Sequence, residues 1–394
     1  MVRSEQTAVV VLSPVQWDFT WQSAQTVAQG LAERGYLVLF LNPLPKRVPG
    51  RDEIGRLLNR LLNRPELAGY SRQPRPAGLT VVNPLCLPDA NPVFESVNRR
   101  LFVPGLLRTI RCVMAGRQHV VVVSYLPFPT ALTVTSELAP DLLLYACQTN
   151  WSADPLVRPA VLREEQLFQQ ADLVLADSPY LYEHASSCHA RVYRWPAMVD
   201  LNLFCPAAQR NESAPGNPIR CCYFGGVGSR IDVELLAKVS QQYALRIIGP
   251  VRVPLPALAQ GTELVGAVSH TDLPHQLADV DVFLLPYRVN AFTEGILPAK
   301  VFECFAMGKP VVSTYLPSLL QYQDLIYLSR THEEFLANIQ RAVAEEKNLS
   351  DRRLEIAKQN STDRWLEVLN GLILSWLDGR RDFEWPDESG RSIP

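Results

Sequence analysis

The 394-residue chain lacks a long hydrophobic run, lacks any C-x-x-C pair and carries almost no net charge. A membrane-spanning helix needs about 18 consecutive apolar residues, and no stretch approaches that length. Residues 1–7 lead straight into an apolar run at 8–12, without the hydrophobic region or small-residue cleavage site of a secretory leader. The eight cysteines, at 86, 112, 147, 188, 205, 221, 222 and 304, have neither zinc nor disulfide spacing. Most stand in apolar surroundings and are expected to be reduced core residues, with Cys221 and Cys222 on opposite faces of one strand. His184, His189, His270 and His275 have no metal-ligand spacing with a carboxylate or thiol, so solvated loop histidines and no metal are expected. With 38 Lys+Arg against 40 Asp+Glu, the net charge of −2 excludes a polycation seeking nucleic acid. A cytoplasmic protein is expected.

At 47% hydrophobic and 20% charged, the chain has the apolar mass for about two domains of ~150 residues each. Apolar runs of strand length alternate with helical patterns twice over. The first series has strands at 8–12, 37–41, 79–82, 119–124, 142–145, 173–176 and 192–195, with a helix at 23–34 that stops on Gly35. Residues 206–218, with Pro206, Pro215, Pro218 and Gly216 among polar filler, break the pattern and read as a linker. The alternation then resumes with strands at 219–224, 245–248, 263–265, 282–285 and 310–313 and helices at 232–242, 273–278 and 299–307. Continuous valine and leucine strands between helices imply parallel sheets covered on both faces. The expected organisation is α/β: doubly wound domains at 1–205 and 219–360, joined by 206–218, then an amphipathic helix at 361–377 and a poorly ordered tail at 378–394. Two such sheets would face each other across a cleft.

Ligands of open parallel sheets bind beyond the carboxyl ends of the strands. Gly225, Gly226 and Gly228 follow one strand and open a helix, which offers backbone N–H groups to an anion, and Arg230 adds a fixed positive charge. The turn lacks the full G-x-G-x-x-G spacing, and glycine there also serves packing. After the strand at 282–285 comes a polar loop with Pro298 placed as the first residue of a helix, so that Lys300 and Glu303, three apart, share a face. A lysine at a helix start suits a diphosphate, and a nearby carboxylate suits vicinal sugar hydroxyls. In the first domain, Asp18 follows the first strand and Tyr125 follows the strand ending at Ser124, which puts both at the mouth of the expected cleft.

The run Phe302-Glu303-Cys304-Phe305-Ala306-Met307-Gly308-Lys309-Pro310 resembles the donor-site signature of GT-B glycosyltransferases of family 4, the group 1 superfamily. The spacing of Asn290, Thr293, Pro298, Lys300 and Glu303 is similar to its teichuronic-acid and exopolysaccharide branch, as are stretches 14–18, 150–152, 171–178, 224–232 and 277–286. The resemblance implies two Rossmann-like domains, the sugar nucleotide on the second and the acceptor on the first, with the last helix crossing back. It implies a transferase of cell-envelope polysaccharide biosynthesis moving a sugar, from a UDP-sugar by family habit, to a polysaccharide or glycolipid. The sugar nucleotide is a co-substrate; no cofactor or metal is implied, and the anomeric configuration is retained. It implies that Glu303 holds the ribose, that Arg230 and Lys300 lie by the diphosphate, and that Val265 and Gly266 face the base. Glu294 by this resemblance, and Asp18 by its place after the first strand, are the carboxylates expected nearest the chemistry.

Two departures matter. The usual pattern places its first glutamate where this chain has Gly295, and Glu294 leaves eight residues before Glu303 instead of seven. Acidic residues common in the branch are replaced here by Ala146, Thr149 and Asn150. Rival readings are therefore a catalytically degenerate GT-B protein that binds a sugar nucleotide or a partner, and a sugar-nucleotide epimerase.

Residues 46–117 carry a net charge of +8, leaving −10 for the rest. Within them Ile54, Leu57, Leu58, Leu61 and Leu62 line one helical face flanked by Arg56, Arg60 and Arg64. A second basic cluster contains Arg99, Arg100, Leu101, Phe102, Leu106, Leu107, Arg108 and Arg111. Two readings stand for 51–64 and 97–111: peripheral contact with the inner face of an anionic membrane, or leucines packed on the domain with a solvated arginine rim.

Overall fold

Valine and leucine runs uninterrupted by polar residues belong in strands covered on both faces, and they are found there. The computed structural model describes residues 2–19, 21–44, 75–154, 157, 162–205, 218–381, 383–386 and 392–393. The chain divides into two compact units: one holds the described residues up to Pro196 and those from Asp363 onward, the other Ala197–Thr362.

The first unit is built on β1 (Thr7–Leu12), β2 (Leu37–Leu41), β3 (Leu79–Val82), β4 (His119–Ser124), β5 (Leu142–Cys147), β6 (Leu173–Ala176) and β7 (Val192–Arg194). Their order is β3-β2-β1-β4-β5-β6-β7, and every pairing is parallel. The order reverses between β1 and β4, so the loops leaving these strands open the crevice where such sheets take ligands.

The helix Thr362–Leu377 packs on this unit. Leu366 lies against Gly30, where any larger residue would collide. Tyr36 donates its hydroxyl to Asn370 Oδ1 at 2.8 Å, and Trp376 Nε1 donates to the Asp141 carbonyl at 3.0 Å. The expectation of a poorly ordered tail fails at Trp385, which is 3% exposed and donates Nε1 to the Arg194 carbonyl at 2.9 Å. Its ring joins Trp195, Trp365 and Phe383, with centroids 6.0–6.1 Å away, and such a large apolar surface outweighs the charge around it.

The second unit is built on β8 (Arg220–Phe224), β9 (Ala244–Ile248), β10 (Glu263–Gly266), β11 (Val282–Leu285), β12 (Val311–Thr314) and β13 (Ile326–Ser329). They lie in the order β10-β9-β8-β11-β12-β13, again all parallel, with the reversal between β8 and β11. β13 was not anticipated, because its four residues carry no periodic signature of their own. It pairs with β12, and buried Arg353 holds its approach by donating Nε to the Leu325 carbonyl at 3.0 Å and pairing with Glu345.

The chain passes from one unit to the other at Ala197, and residues 206–217 of the linker stretch lie outside the described residues, as does the leucine–arginine stretch 51–64. Cys147, Cys221, Cys222 and Cys304 are core residues, whereas Cys112 and Cys188 are exposed, so the core reading holds only for part of the set.

Candidate functional site

The second unit's reversal point is formed by two loops that lock together. After β8, Gly225 turns with φ +120, and its N–H bonds the Ile248 carbonyl at 2.7 Å. The chain then runs to Arg230 and Asp232. After β11, Tyr287 bridges Ile231 in antiparallel fashion, the Asp232 N–H bonds the Pro286 carbonyl at 2.8 Å, and the Arg288 N–H bonds the Arg230 carbonyl at 2.8 Å. The adjacent strands β9 and β10 also end in left-handed glycines, Gly249 (φ +133) and Gly266 (φ +79), joined by a 2.6 Å bond from Gly249 N–H to the Gly266 carbonyl. Glycine is required at 225 and 249 because a Cβ on Gly249 would run into the Gly225 carbonyl.

Lys300 opens the helix Lys300–Ala306 and reaches back under this turn. Its Nζ donates to the Phe224 carbonyl at 2.7 Å and to the Tyr223 hydroxyl at 3.4 Å, and it lies 4.5 Å from the Tyr223 ring centroid. A Cβ on Gly225 would stand 2.5 Å from that nitrogen. Burial alone would lower the Lys300 ammonium. The Tyr223 and Tyr287 hydroxyls and the Glu303 carboxylate outweigh burial and hold it above the ordinary lysine range, so it stays cationic. Tyr223 links the parts further by donating to the Gly226 carbonyl at 3.1 Å. Burial raises its phenol, against the pull of Lys300 and Arg230.

Glu303 lies one turn on from Lys300. Its Oε1 is 3.6 Å from His270 Nε2, with both side chains about one-fifth exposed (19% and 18%). The His270 ring in turn packs on Phe204, 5.7 Å between centroids. His270 is therefore not the solvated loop histidine expected. Sequence spacing could not pair it with Glu303, because β11 and two short helices separate them along the chain. His184 and His189 also have protein partners, Glu164 for the first and the Ala171 and Arg191 carbonyls for the second.

Arg230 is exposed, with its guanidinium 4.2 Å from the Phe292 ring centroid. Asn290 and Thr293 turn out to build the loop. Asn290 Oδ1 accepts from the N–H groups of Phe292 and Thr293, and the Thr293 hydroxyl, wholly buried, donates to the Arg288 carbonyl at 2.6 Å. The Thr293 hydroxyl is thus spent inside the turn that carries Glu294. That carboxylate is exposed, with no hydrogen-bond or ion-pair partner among the described residues. Pro298 is buried and precedes the helix by two residues instead of starting it, because its carbonyl accepts from Val301 N–H in a tighter entry turn. Val265 is 38% exposed at the end of β10, beside Gly266.

In the first unit Asp18 follows β1 and lies 3.8 Å from the Arg75 guanidinium. Tyr125 follows β4 but is 3% exposed, and its hydroxyl meets Ser23 Oγ at 3.5 Å, which Gln148 also contacts at 3.1 Å. It is an interior ring rather than a group at an open mouth, and burial raises its phenol. Asn150, where an acid was expected by resemblance, is spent on Tyr180 and Ser152.

The structure thus assembles Gly225, Gly226, Arg230, Lys300 and Glu303 around one strand-end turn and adds His270. A fixed cation beneath a glycine turn beside a carboxylate can hold an anionic group and a pair of hydroxyls together.

Residues 230–345 match the family described as glycosyl transferases, group 1. The chain is 24% identical over 226 residues to TuaH of Bacillus subtilis, named as a teichuronic acid biosynthesis glycosyltransferase. That match spans 50% of this chain and only 56% of TuaH's length. Among solved structures, Anabaena Alr3699/HepE in complex with UDP and glucose superposes with a TM-score of 0.60 at 13% identity, over 93% of this chain and 99% of that one. WaaG, a glycosyltransferase involved in lipopolysaccharide biosynthesis, superposes with a TM-score of 0.55 at 10% identity, over 93% and 99%. Two doubly wound parallel sheets, with the last helix packed on the first unit, make up the GT-B fold. Within it, residues 230–345 are similar to the group 1 glycosyl transferases, and half of the chain is similar to TuaH.

Proposed function

We propose that the chain is a glycosyltransferase that binds a nucleoside diphosphate sugar, a UDP-sugar, on its second unit and passes the sugar to a polysaccharide or glycolipid acceptor. The observation that carries this reading is Lys300 held cationic beneath the Gly225 turn with Glu303 on the same helix. The reaction breaks the bond between sugar C1 and the β-phosphate oxygen and forms one to an acceptor hydroxyl, so negative charge grows on the departing diphosphate. Lys300 and exposed Arg230 are the groups suited to take that charge, which supports a transfer that needs no metal. Glu303, steadied by His270, is suited to the ribose hydroxyls, and exposed Glu294 to the sugar. Retention of configuration and an envelope acceptor extend the same reading, as does a cytoplasmic location. The names of TuaH and WaaG support the acceptor class, and HepE, solved with UDP and glucose, supports the donor.

Calorimetric titration with UDP, GDP, ADP and their sugar derivatives tests this. Preferential binding of UDP and of one UDP-sugar is expected. Binding of none of them would overturn the reading.

A further inference from the structure

The first unit carries a surface that nothing in the donor chemistry explains. The helical stretch Pro92–Val97 continues into Val103–Val113 through a π turn at Asn98–Phe102, where the Val103 N–H bonds the Asn98 carbonyl. Pro104 accounts for the wide turn, since its ring cannot pack against the carbonyl four residues back in a regular helix. An α turn of about 3.6 residues and a π turn of about 4.4 together make two full turns in eight residues, which sets Val93 and Leu101 on one side. The core side of the same stretch buries Val103, Leu106, Leu107 and Ile110.

Val93, Leu101 and Leu85 are 69%, 70% and 59% exposed, the most exposed large apolar side chains among the described residues. They are held firmly. Asn98 clamps the Leu85 loop by accepting from Leu87 N–H and donating to the Leu87 carbonyl, both at 2.8 Å. Asp89 accepts from the Thr130 N–H and hydroxyl. Arg99, Arg100 and Arg108 are exposed and make no hydrogen bond or ion pair with any described residue. The acids nearby are largely occupied: Glu95 lies 3.7 Å from Arg163, and Asp89 is buried. A groove of about 610 Å³ is lined by Val103, Pro104 and Leu107 together with Arg99, Arg108 and Arg111, and one acid, Glu137, also lines it.

We propose that this face docks on an anionic lipid bilayer, with Leu85, Val93 and Leu101 entering the interface and Arg99, Arg100 and Arg108 meeting headgroups. The groove, lined by arginines and apolar side chains together, suits one anionic headgroup with the start of its acyl chains. Arginines without a partner among the described residues, beside exposed apolar tips, complement an anionic amphiphilic surface, because their stems can lie in the interface while the guanidinium groups reach phosphate. The proposal is independent of the transfer chemistry, so vesicle binding and nucleotide binding can fail separately.

The test is co-sedimentation of the full chain with vesicles of phosphatidylcholine alone and of phosphatidylcholine with phosphatidylglycerol. Binding is expected only to the anionic vesicles, falling with added salt. The double variant Arg99→Ala with Arg100→Ala should partition roughly 30-fold less, at about fivefold per charge. Leu101→Asp should lose at least about tenfold. All of these side chains are exposed, so melting should not change. Arg352→Ala, on the second unit's surface, should bind as wild type does. Absence of binding to anionic vesicles would overturn the proposal, including where a protein partner is instead captured. So would equal binding by the patch variants, or an equal loss in Arg352→Ala.

Discussion

Lys300 Nζ occupies the space that a side chain on Gly225 would fill, 2.7 Å from the Phe224 carbonyl. The glycine and the lysine are thus one device: the turn leaves room for the cation, and the cation ties the helix Lys300–Ala306 to the end of β8. Gly225→Ala should break it twice over, by the contact with Nζ and by the left-handed φ of +120. A loss of about 1–3 kcal/mol in urea unfolding is expected, together with weaker UDP binding.

Lys300→Ala removes the buried charge and keeps the turn. UDP affinity should fall roughly ten- to a hundredfold, the range for one hydrogen bond to a charged group, whereas UMP affinity should change little. Calorimetry with the two nucleotides checks this. An equal loss for both would move Lys300 away from the diphosphate.

Asp177, at the end of β6, has a buried Oδ1 with no hydrogen-bond partner among the described residues. Burial pushes its carboxyl up to about 8, and Arg194 pulls the other way. Between an unfolded value of 3.8 and about 8 the folded chain binds the extra proton, so the stability this group contributes is full at low pH and is lost as pH rises through about 8. Asp177→Asn mimics the protonated acid. It should flatten the dependence of melting temperature on pH between about 5 and 9 and stabilise the protein by about 1–3 kcal/mol at the alkaline end.

Trp385 is the anchor of the carboxyl-terminal segment, packed on Trp195 and Trp365. Trp385→Ala should cost about 3 kcal/mol or more, seen as earlier thermal unfolding and as faster proteolysis after Leu377.

Much of this architecture was legible because it rests on local patterns. The twelve strands from β1 to β12 are apolar runs between turn residues, and each was located to within two residues of its observed ends. β13 was missed because its partner β12, not its own composition, defines it. The tail was misjudged for the same kind of reason: Trp385 sits among charges in sequence but among tryptophans in space. In the site, Lys300 and Glu303 were visible through their three-residue spacing on one helix. His270 was not, since it meets Glu303 only through the fold. The spacing of Thr293 and Asn290 suggests ligand groups, but a short polar loop must first satisfy its own backbone, and both side chains do so here. Tyr125 does follow β4, but Ser23 and Gln148 from distant segments close around it, so it lies in the interior instead of at the open mouth its place in the sequence suggests.

The most direct test of the account is the affinity of UDP for wild type and Glu303→Ala, measured by calorimetry alongside thermal melting. Glu303 lies on a partly exposed helix face, so its removal should leave melting unchanged while weakening UDP at least about tenfold through lost hydrogen bonds to the ribose. Equal affinity in the two proteins with unchanged melting would contradict the donor site as assigned.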